Sequence, residues 1–438
     1  MSTDIETQLI ISLILFGIGL FCFFHTCHLR RNKRLMDDVP TSKTNGVFIG
    51  MVELKGVAVS RKVRYSPYTR QEFVFCLITI SEEWQRWETE TYYDSSEQRY
   101  ETRQVLHSGW TQLEGVRTKA PFYLQDNTGA IRVWPEGAEM DITQSWEQTV
   151  SSTSPYYNRI ARPEISDSTH RRKITETIIK PGEALYLFGS SRLREDIVAP
   201  EIAQDDCSRF YTISTKTEEE LSSSHGISLW AFHFLALCFW GATGFCLFPA
   251  EGAQGLIPVA CCAAVYLPLA FSAWIYQTYA SLILLRNLAL QGESNIDVQL
   301  KRRNDLIPAL VTIVKQYCRH EKEIQRRLIL LKRQIINRQE FAAGNSKSAK
   351  IGVCAPLLTA LAESYPELQA SELFRNLKKQ IVDTEQKIML ARKYYNDIVL
   401  SFNTRIQSFP TDITARLCRM KPFSPIKLAS SKNKAGKG

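Results

Sequence analysis

His25, Cys27 and His28 sit in the run His-Thr-Cys-His, two imidazoles and a thiol of the types that bind zinc or copper. A closed tetrahedral site needs a fourth donor. The neighbouring sequence supplies none, so packing at the edge of an apolar segment is the expected use. His320 precedes Glu321, whereas a di-metal site on a helix needs Glu three residues before its His, and that position is Tyr317. Cys207 lies in QDDCSRF, where Asp205 and Asp206 disfavour the thiolate that a nucleophile requires. The chain holds no G-x-x-x-x-G-K-S/T, no G-x-S-x-G and no H-E-x-x-H, so phosphate-loop, serine-hydrolase and zincin chemistry lack their usual residues. Its 11 Cys contain no C-x-x-C pair, and five stand inside apolar runs. That usage fits neither a disulfide framework nor a zinc site, and it suits a reducing compartment. No catalytic residue, metal or cofactor is expected.

Any chemistry would be positioned by three apolar stretches and two soluble segments. Between Glu6 and Arg30 lie 23 residues without formal charge. As a helix they reach about 35 Å, enough for a hydrocarbon layer of ~30 Å. A signal peptide fits poorly, because MSTDIE is acidic and no small-x-small cleavage site follows. Arg30, Arg31, Lys33 and Arg34 flank the exit, which predicts an outside N-terminus and a cytoplasmic continuation. Ile227 to Ala250 and Gly252 to Leu285 are also free of charge and are separated only by Glu251, the pattern of a transmembrane hairpin. His233 and Trp240 within it are expected to pack rather than to mark a proton path.

Charge is segregated along the chain. From Arg286 onward there are 28 Lys+Arg against 13 Asp+Glu, a net +15; the first 285 residues therefore carry −6 of the overall +9. Hydrophobic residues at 44% and charged residues at 23% exclude a wholly disordered chain.

From Asn45 to about Gly226 short β-branched and aromatic runs are cut by turn signals, which predicts a β-rich, small barrel-like module. PFYLQDNTGAIRVWPEGA predicts a hairpin in which Phe122 and Leu124 alternate before the turn and Ile131 and Val133 after it. The polar insertions 81–104 and 145–173 are expected as long loops or excursions beyond the barrel. Trp84, Trp87, Tyr92, Tyr93, Tyr100 and Trp110 are the stacking residue types of nucleic-acid binders. Residues 82–101 hold seven acidic residues and two Arg, so phosphate is repelled, no nucleic-acid partner is expected, and interfacial anchoring or packing is the expected use. GMVELKGVAV, SPYTRQEFVFC, PFYLQDNTGAIRVWPEGAE, IKPGEALYLFGSSR and TKTEEELSSS resemble the "beside a membrane" module of the GIDE family, over roughly Gly46 to Ser224. Ligase members of that family carry a C-terminal RING of Cys and His pairs. This sequence has no such set, so ubiquitin transfer is not carried over.

In the last third, Ile307, Leu310, Val314, Tyr317, Ile324, Leu328, Leu331 and Ile335 follow one 3,4 spacing broken at Glu321. Phe374, Leu377, Ile381, Thr384, Ile388, Ala391, Tyr395, Ile398 and Phe402 repeat it until Pro410. Two apolar seams predict two long helices packed antiparallel across 341–370, with a short apolar segment at 357–361 between them. Pro308 is expected to kink the first or to open a fresh helix capped by Asp305, and Asp297 to pair with Lys301. SNIDVQLKRRNDLIPALVTIVKQYCRHEK and YPELQASELFRNLKKQIVDTEQKIMLARKYYNDIVLSFNTRIQSFP are similar to the LemA family, over about Tyr279 to Phe423. The resemblance implies a membrane-anchored long-helix bundle and no assigned activity. It falls on Asp297, Gln299, Arg302, Arg303, Asp305 and Pro308, and on Tyr394, Tyr395, Asn396, Asn403 and Pro410, as interaction or structural motif residues.

The expected protein is multi-domain. A transmembrane helix occupies 1–29, a basic linker 30–44, the β-rich domain 45–226, a transmembrane hairpin 227–276, an all-α antiparallel bundle 277–424 and a basic disordered tail 425–438. The expected function is a membrane-anchored, non-enzymatic scaffold in a bacterial inner membrane, with both soluble domains cytoplasmic, unidentified protein partners and possible oligomers. The alternative is an enzyme or modifier-transfer component related to GIDE-type ligases. Arg30, Arg31, Lys33 and Arg34, with Lys427, Lys432, Lys434 and Lys437 of the tail, are expected to meet anionic headgroups.

Overall fold

A computed structural model describes residues 2–94, 99–113, 115–160, 165–197, 199–205, 210–247, 256–317 and 370–426. The chain divides into two compact units, Ser42–Leu221 and the remainder.

The first unit contains most of the strands. In chain order they are β1 (Thr41–Ser42), β2 (Gly50–Val59), β3 (Phe75–Asp94), β4 (Arg99–Gln112), β5 (Val116–Arg117), β6 (Phe122–Gln125), β7 (Ala130–Val133), β8 (Glu139–Asp141), β9 (Trp146–Ser151), β10 (Ser168–Ile179), β11 (Ala184–Leu193), β12 (Pro200–Ala203) and β13 (Thr212–Ser214). Pairing runs β2–β6–β7–β12–β11 and returns from β11 to β2, which closes a five-stranded barrel. One pair in the ring, β7 with β12, is parallel. This Greek-key closure is of the OB-fold type. Alternate residues point inward: Val52, Leu54 and Ala58 from β2, Leu185 and Leu187 from β11, and Ile202 from β12 fill the core. The expected hairpin is β6–β7, with Phe122, Leu124, Ile131 and Val133 all buried in that core. Gly56 sits where β2 passes from β11 to β6; a Cβ there would stand 2.5 Å from the Gln125 carbonyl oxygen, so the corner admits only glycine without movement.

Of the two outcomes expected for the polar insertions, the described residues show excursions beyond the barrel rather than loops. They supply most of a second sheet in the order β4–β3–β10–β9, with β5 also on β3. β3 serves both cores, Phe75 and Leu77 facing the barrel while Cys76, Ile78 and Ile80 face a second cluster with Leu113, Val150, Ile174 and Ile178. Beyond Trp84 it leaves β10 and continues with β4 alone to Asp94. Hydrophilic segments can leave the barrel as sheet because Thr, Trp and Tyr at alternate positions are strand formers, and cross-strand pairs replace burial.

The helices are α1 (Ser2–Asp38), α2 (Glu218–Leu247), α3 (Leu256–Tyr317), α4 (Glu372–Gln407) and α5 (Thr411–Leu417). Three are long and apolar enough to cross a membrane, over Glu6–Asp38, Glu218–Cys246 and Ile257–Val314. Cys22 and Phe23 of α1, Ala236 and Trp240 of α2 and Tyr266 of α3 form one buried cluster. Hydroxyls on these helices donate to their own preceding turn, Thr26 to the Cys22 carbonyl at 2.7 Å and Thr278 to that of Trp274 at 2.8 Å, so each of these two hydroxyls is satisfied within its own helix.

α3 runs without interruption through Pro308, so the expected fresh N-terminus is corrected and Asp305 is a mid-helix residue rather than a cap. The missing proline N–H is outweighed by the seam on both sides of it, where Ile307, Leu310 and Val314 are buried. On α4 every predicted seam residue from Phe374 to Phe402 is buried. α3 packs against α4, Gly292 lying against Tyr395. Ile324, Leu328, Leu331, Ile335, His320, the 357–361 segment, Glu251 and Cys207 lie outside the described residues.

Candidate functional site

The motif residues of α4 act on a strap. Chain 421–426, which follows α5 without regular secondary structure, is hydrogen-bonded along α4. Asn403 Nδ2 donates to the Phe423 carbonyl at 2.8 Å while its Oδ1 accepts from the Phe423 amide at 3.0 Å. Asn396 does the same for Ile426, at 2.8 Å in both directions. Seven helical residues rise about 10.5 Å and three extended residues cover about 10 Å, so the two carboxamides meet successive paired positions of the strap. Between them Tyr395 Oη donates to the Ser424 carbonyl at 3.3 Å, and the Phe402 and Phe423 rings meet edge to face at 5.4 Å. Tyr394 is half-buried on the neighbouring turn.

The α3 motif residues separate into two sets. Asp297, Arg302, Asp305 and Pro308 are exposed, and among the described residues no ion pair joins Asp297 to Lys301, consistent with the small gain of a fully solvated pair. Gln299 and Arg303 are half-buried, with Gln299 Oε1 and Arg303 Nε enclosed and without hydrogen bonds. Across from them α4 contributes Glu385 and Arg392, both buried. Burial, and then the nearby Arg303, push the Arg392 guanidinium down from its usual range.

A second polar cluster joins three helices. Asp38, buried at the end of α1, accepts from Ser281 Oγ of α3 and pairs with Arg405 of α4. Arg34 lies beside it, with Nη1 enclosed and unbonded. Sequence reasoning missed this cluster, since its members are more than 120 residues apart in every combination except Arg34–Asp38 and no spacing rule relates them.

The basic residues after the first apolar stretch are mostly engaged. Arg30 Nη2 lies 3.2 Å from His233 Nε2. An arginine can only donate, so Nε2 accepts, and the neutral ring carries its proton on Nδ1, which meets Tyr266 Oη at 2.9 Å. Lys33 donates to the Ser222 carbonyl and hydroxyl at 2.9 and 2.8 Å. Arg31 is exposed. Lys427, Lys432, Lys434 and Lys437 lie outside the described residues.

Nothing in these clusters resembles an activated nucleophile. His25 meets the Phe232 ring edge to face at 4.5 Å and His28 bonds Asn32 at 3.2 Å. Among the described residues no group of three or more His, Cys, Asp or Glu is placed to hold a metal. In the β unit burial, and then Glu176, push the Cys76 thiol up to about 12. Buried Glu201 is saturated by Arg132, Arg192 and Trp134, at 2.8, 2.9 and 2.9 Å.

Residues 292–437 match the LemA family model, and residues 89–245 match the model described as GIDE, E3 ubiquitin ligase. The first match covers the end of α3, α4 and the strap; the second begins inside β3 and ends in α2. No curated protein matches the chain, and no solved structure does. The chain thus carries a LemA family domain at 292–437 and a GIDE domain at 89–245.

Proposed function

We propose that this is a membrane-anchored, non-enzymatic scaffold whose LemA-like helices and GIDE-like β unit receive protein partners beside the bilayer. The observation that carries the proposal is the continuity of α3, whose 62 residues lead from an apolar stretch of spanning length into the helix pair with no linker between them. At ~1.5 Å per residue it measures about 93 Å, so a ~30 Å hydrocarbon layer takes up only a third of it. In this proposal α1, α2 and α3 cross a bacterial inner membrane, the N-terminus is outside, and both soluble parts and the antiparallel bundle are cytoplasmic. Exposed Arg31 and the tail lysines meet anionic headgroups. Alkaline-phosphatase fusions are expected to be active near 250–255 and silent after 220 and at the C-terminus; activity at either silent position overturns the orientation. Crosslinking in native membranes is expected to recover partners that are lost when residues 290–410 are deleted. Retention of every partner by the deleted protein removes the scaffold function.

A second function is favoured by one observation, the match of 89–245 to a model described as an E3 ubiquitin ligase. Modifier transfer requires a reactive side chain. Stoichiometric labelling of one soluble position by thiol- or serine-directed probes, Cys207 first, would replace the scaffold with this function.

A further inference from the structure

Beyond Trp84 the β3–β4 pair is a free two-stranded ribbon, and its two faces differ in kind. Directly opposed residues in an antiparallel ladder share a face. One face therefore carries Arg86 opposite His107, Glu88 opposite Val105, Glu90 opposite Arg103 and Tyr92 opposite Glu101. Its charges pair with one another or with Asp167: Arg103 with Glu90 at 3.1 Å, Arg99 with Glu101 at 2.7 Å, and Arg86 with Asp167 at 2.8 Å. Trp84 also belongs to this face, closed down on Gly109, where a Cβ would stand 2.9 Å from its ring.

The other face, from Gln85 opposite Ser108 to Tyr93 opposite Tyr100, has no charged residue. It presents Trp87 paired with Leu106 among Thr89, Thr91, Thr102 and Gln104; Trp110 continues it toward the sheet opposite Glu83, where the charge-free part ends and the Glu83 carboxylate pairs with Arg171 at 3.1 Å. Trp87 is 64% exposed, Tyr100 75%, Trp110 44% and Leu106 43%. Tryptophan and tyrosine set among uncharged hydroxyls and amides is the chemistry of the boundary between headgroups and acyl chains, whereas a protein core would be expected to carry aliphatic side chains, of which this face has one.

We propose that this aromatic face of the ribbon lies in the headgroup boundary of the bilayer, a proposal that rests on the spanning role given above to α1–α3. The unit carrying the ribbon is tied covalently at both ends, Ser42 following α1 by three residues and Leu221 lying within α2, so it is confined near any membrane those helices cross. A second copy is the weaker occupant. The nine residue pairs from Gln85–Ser108 to Tyr93–Tyr100 make a face of about 30 Å by about 10 Å, so stacking two buries roughly 600 Å², well below the ~1,200 Å² of a stable interface. The absence of charge also gives the contact a signature, because it does not depend on anionic lipid or weaken with salt.

The test uses the full chain in phosphatidylcholine vesicles containing a lipid with a photoreactive group at glycerol depth, with labelled positions read by mass spectrometry. Lipid adducts are expected at Trp87, Leu106 and Trp110, unchanged in high salt. They should fall roughly tenfold in a W87E/L106E variant and persist in E88Q on the opposite face. Labelled α1–α3 with an unlabelled ribbon overturns the proposal and leaves the spans standing. Unlabelled helices overturn the spans and this contact together. Ribbon-to-ribbon crosslinks between copies in place of lipid adducts overturn it in favour of self-association.

Discussion

Each unit of the molecule holds an irregular segment against regular structure with side chains that imitate backbone, and the two devices differ chemically. On the barrel, Asp126 accepts from the Thr44 amide at 3.0 Å and the Thr44 hydroxyl at 2.6 Å, and from Thr128 N and Gly129 N of its own turn at 2.7 and 3.1 Å. On α4, Asn396 and Asn403 both donate and accept. A carboxylate gathers several donors at one point, so it can tie a loop to a turn. A carboxamide satisfies both groups of one residue, so two of them spaced by two helical turns can register a length of chain. The carboxylate works only while ionised, and the carboxamide is indifferent to pH.

The largest expected effect comes from removing the carboxamides. N396A/N403A deletes four hydrogen bonds and should release the strap at a cost of about 3 kcal/mol, read as roughly 100-fold faster amide exchange at Phe423 and Ile426. Unchanged exchange would mean that Phe423 and Ile426 packing alone holds the strap.

Next, D126A should loosen Thr44 and Asn45 by about 2 kcal/mol and speed exchange of the Thr44 amide, with the helices unaffected. The single change N396D should cost about 1 kcal/mol at neutral pH, because a carboxylate still accepts from the Ile426 amide but faces its carbonyl oxygen. That carboxyl favours its protonated form, so the strap of this variant should tighten as pH falls, which exchange measured against pH would show.

The smallest effect has the opposite sign and belongs to the unaltered protein. Burial would raise the Asp126 carboxyl, but bonds from Thr44 and Thr128 outweigh it and hold the group down to about 2. Its contribution is complete above the ordinary carboxylate value near ~3.9 and is lost as pH falls through about 2; after solvent screening it is roughly 1 kcal/mol. Titration of Thr44 exchange should show it, while Phe423 exchange stays flat. A matching acid step at Phe423 would erase the distinction between the two devices.

Periodicity made some of this legible in advance. The α4 seam and the β6–β7 hairpin were readable because burial of one face repeats at 3.6 or 2 residues, and Phe374 to Phe402 and Phe122 to Val133 obey it. The ribbon was legible only as an excursion beyond the barrel, because Gln85 to Tyr92 is largely exposed on both faces and no hydrophobic alternation marks it as strand. Of the two outcomes expected at Pro308, the fresh N-terminus is absent because tertiary packing of Ile307 and Leu310 overrides local propensity. Asn396 and Asn403 were visible as motif residues, but their partners follow 30 and 20 residues later, respectively, in a segment with no regular structure to anticipate. The cluster of Asp38, Ser281 and Arg405 is a product of long-range packing alone.

An unbroken helix is also a lever. α3 spans 62 residues, so a rotation of ~10° about one end carries the other through roughly 16 Å, more than the diameter of a helix with its side chains. Stiffness along such a rod is not uniform. At Pro268 and Pro308 the ladder lacks an amide, so these two points are where such a rod resists bending least.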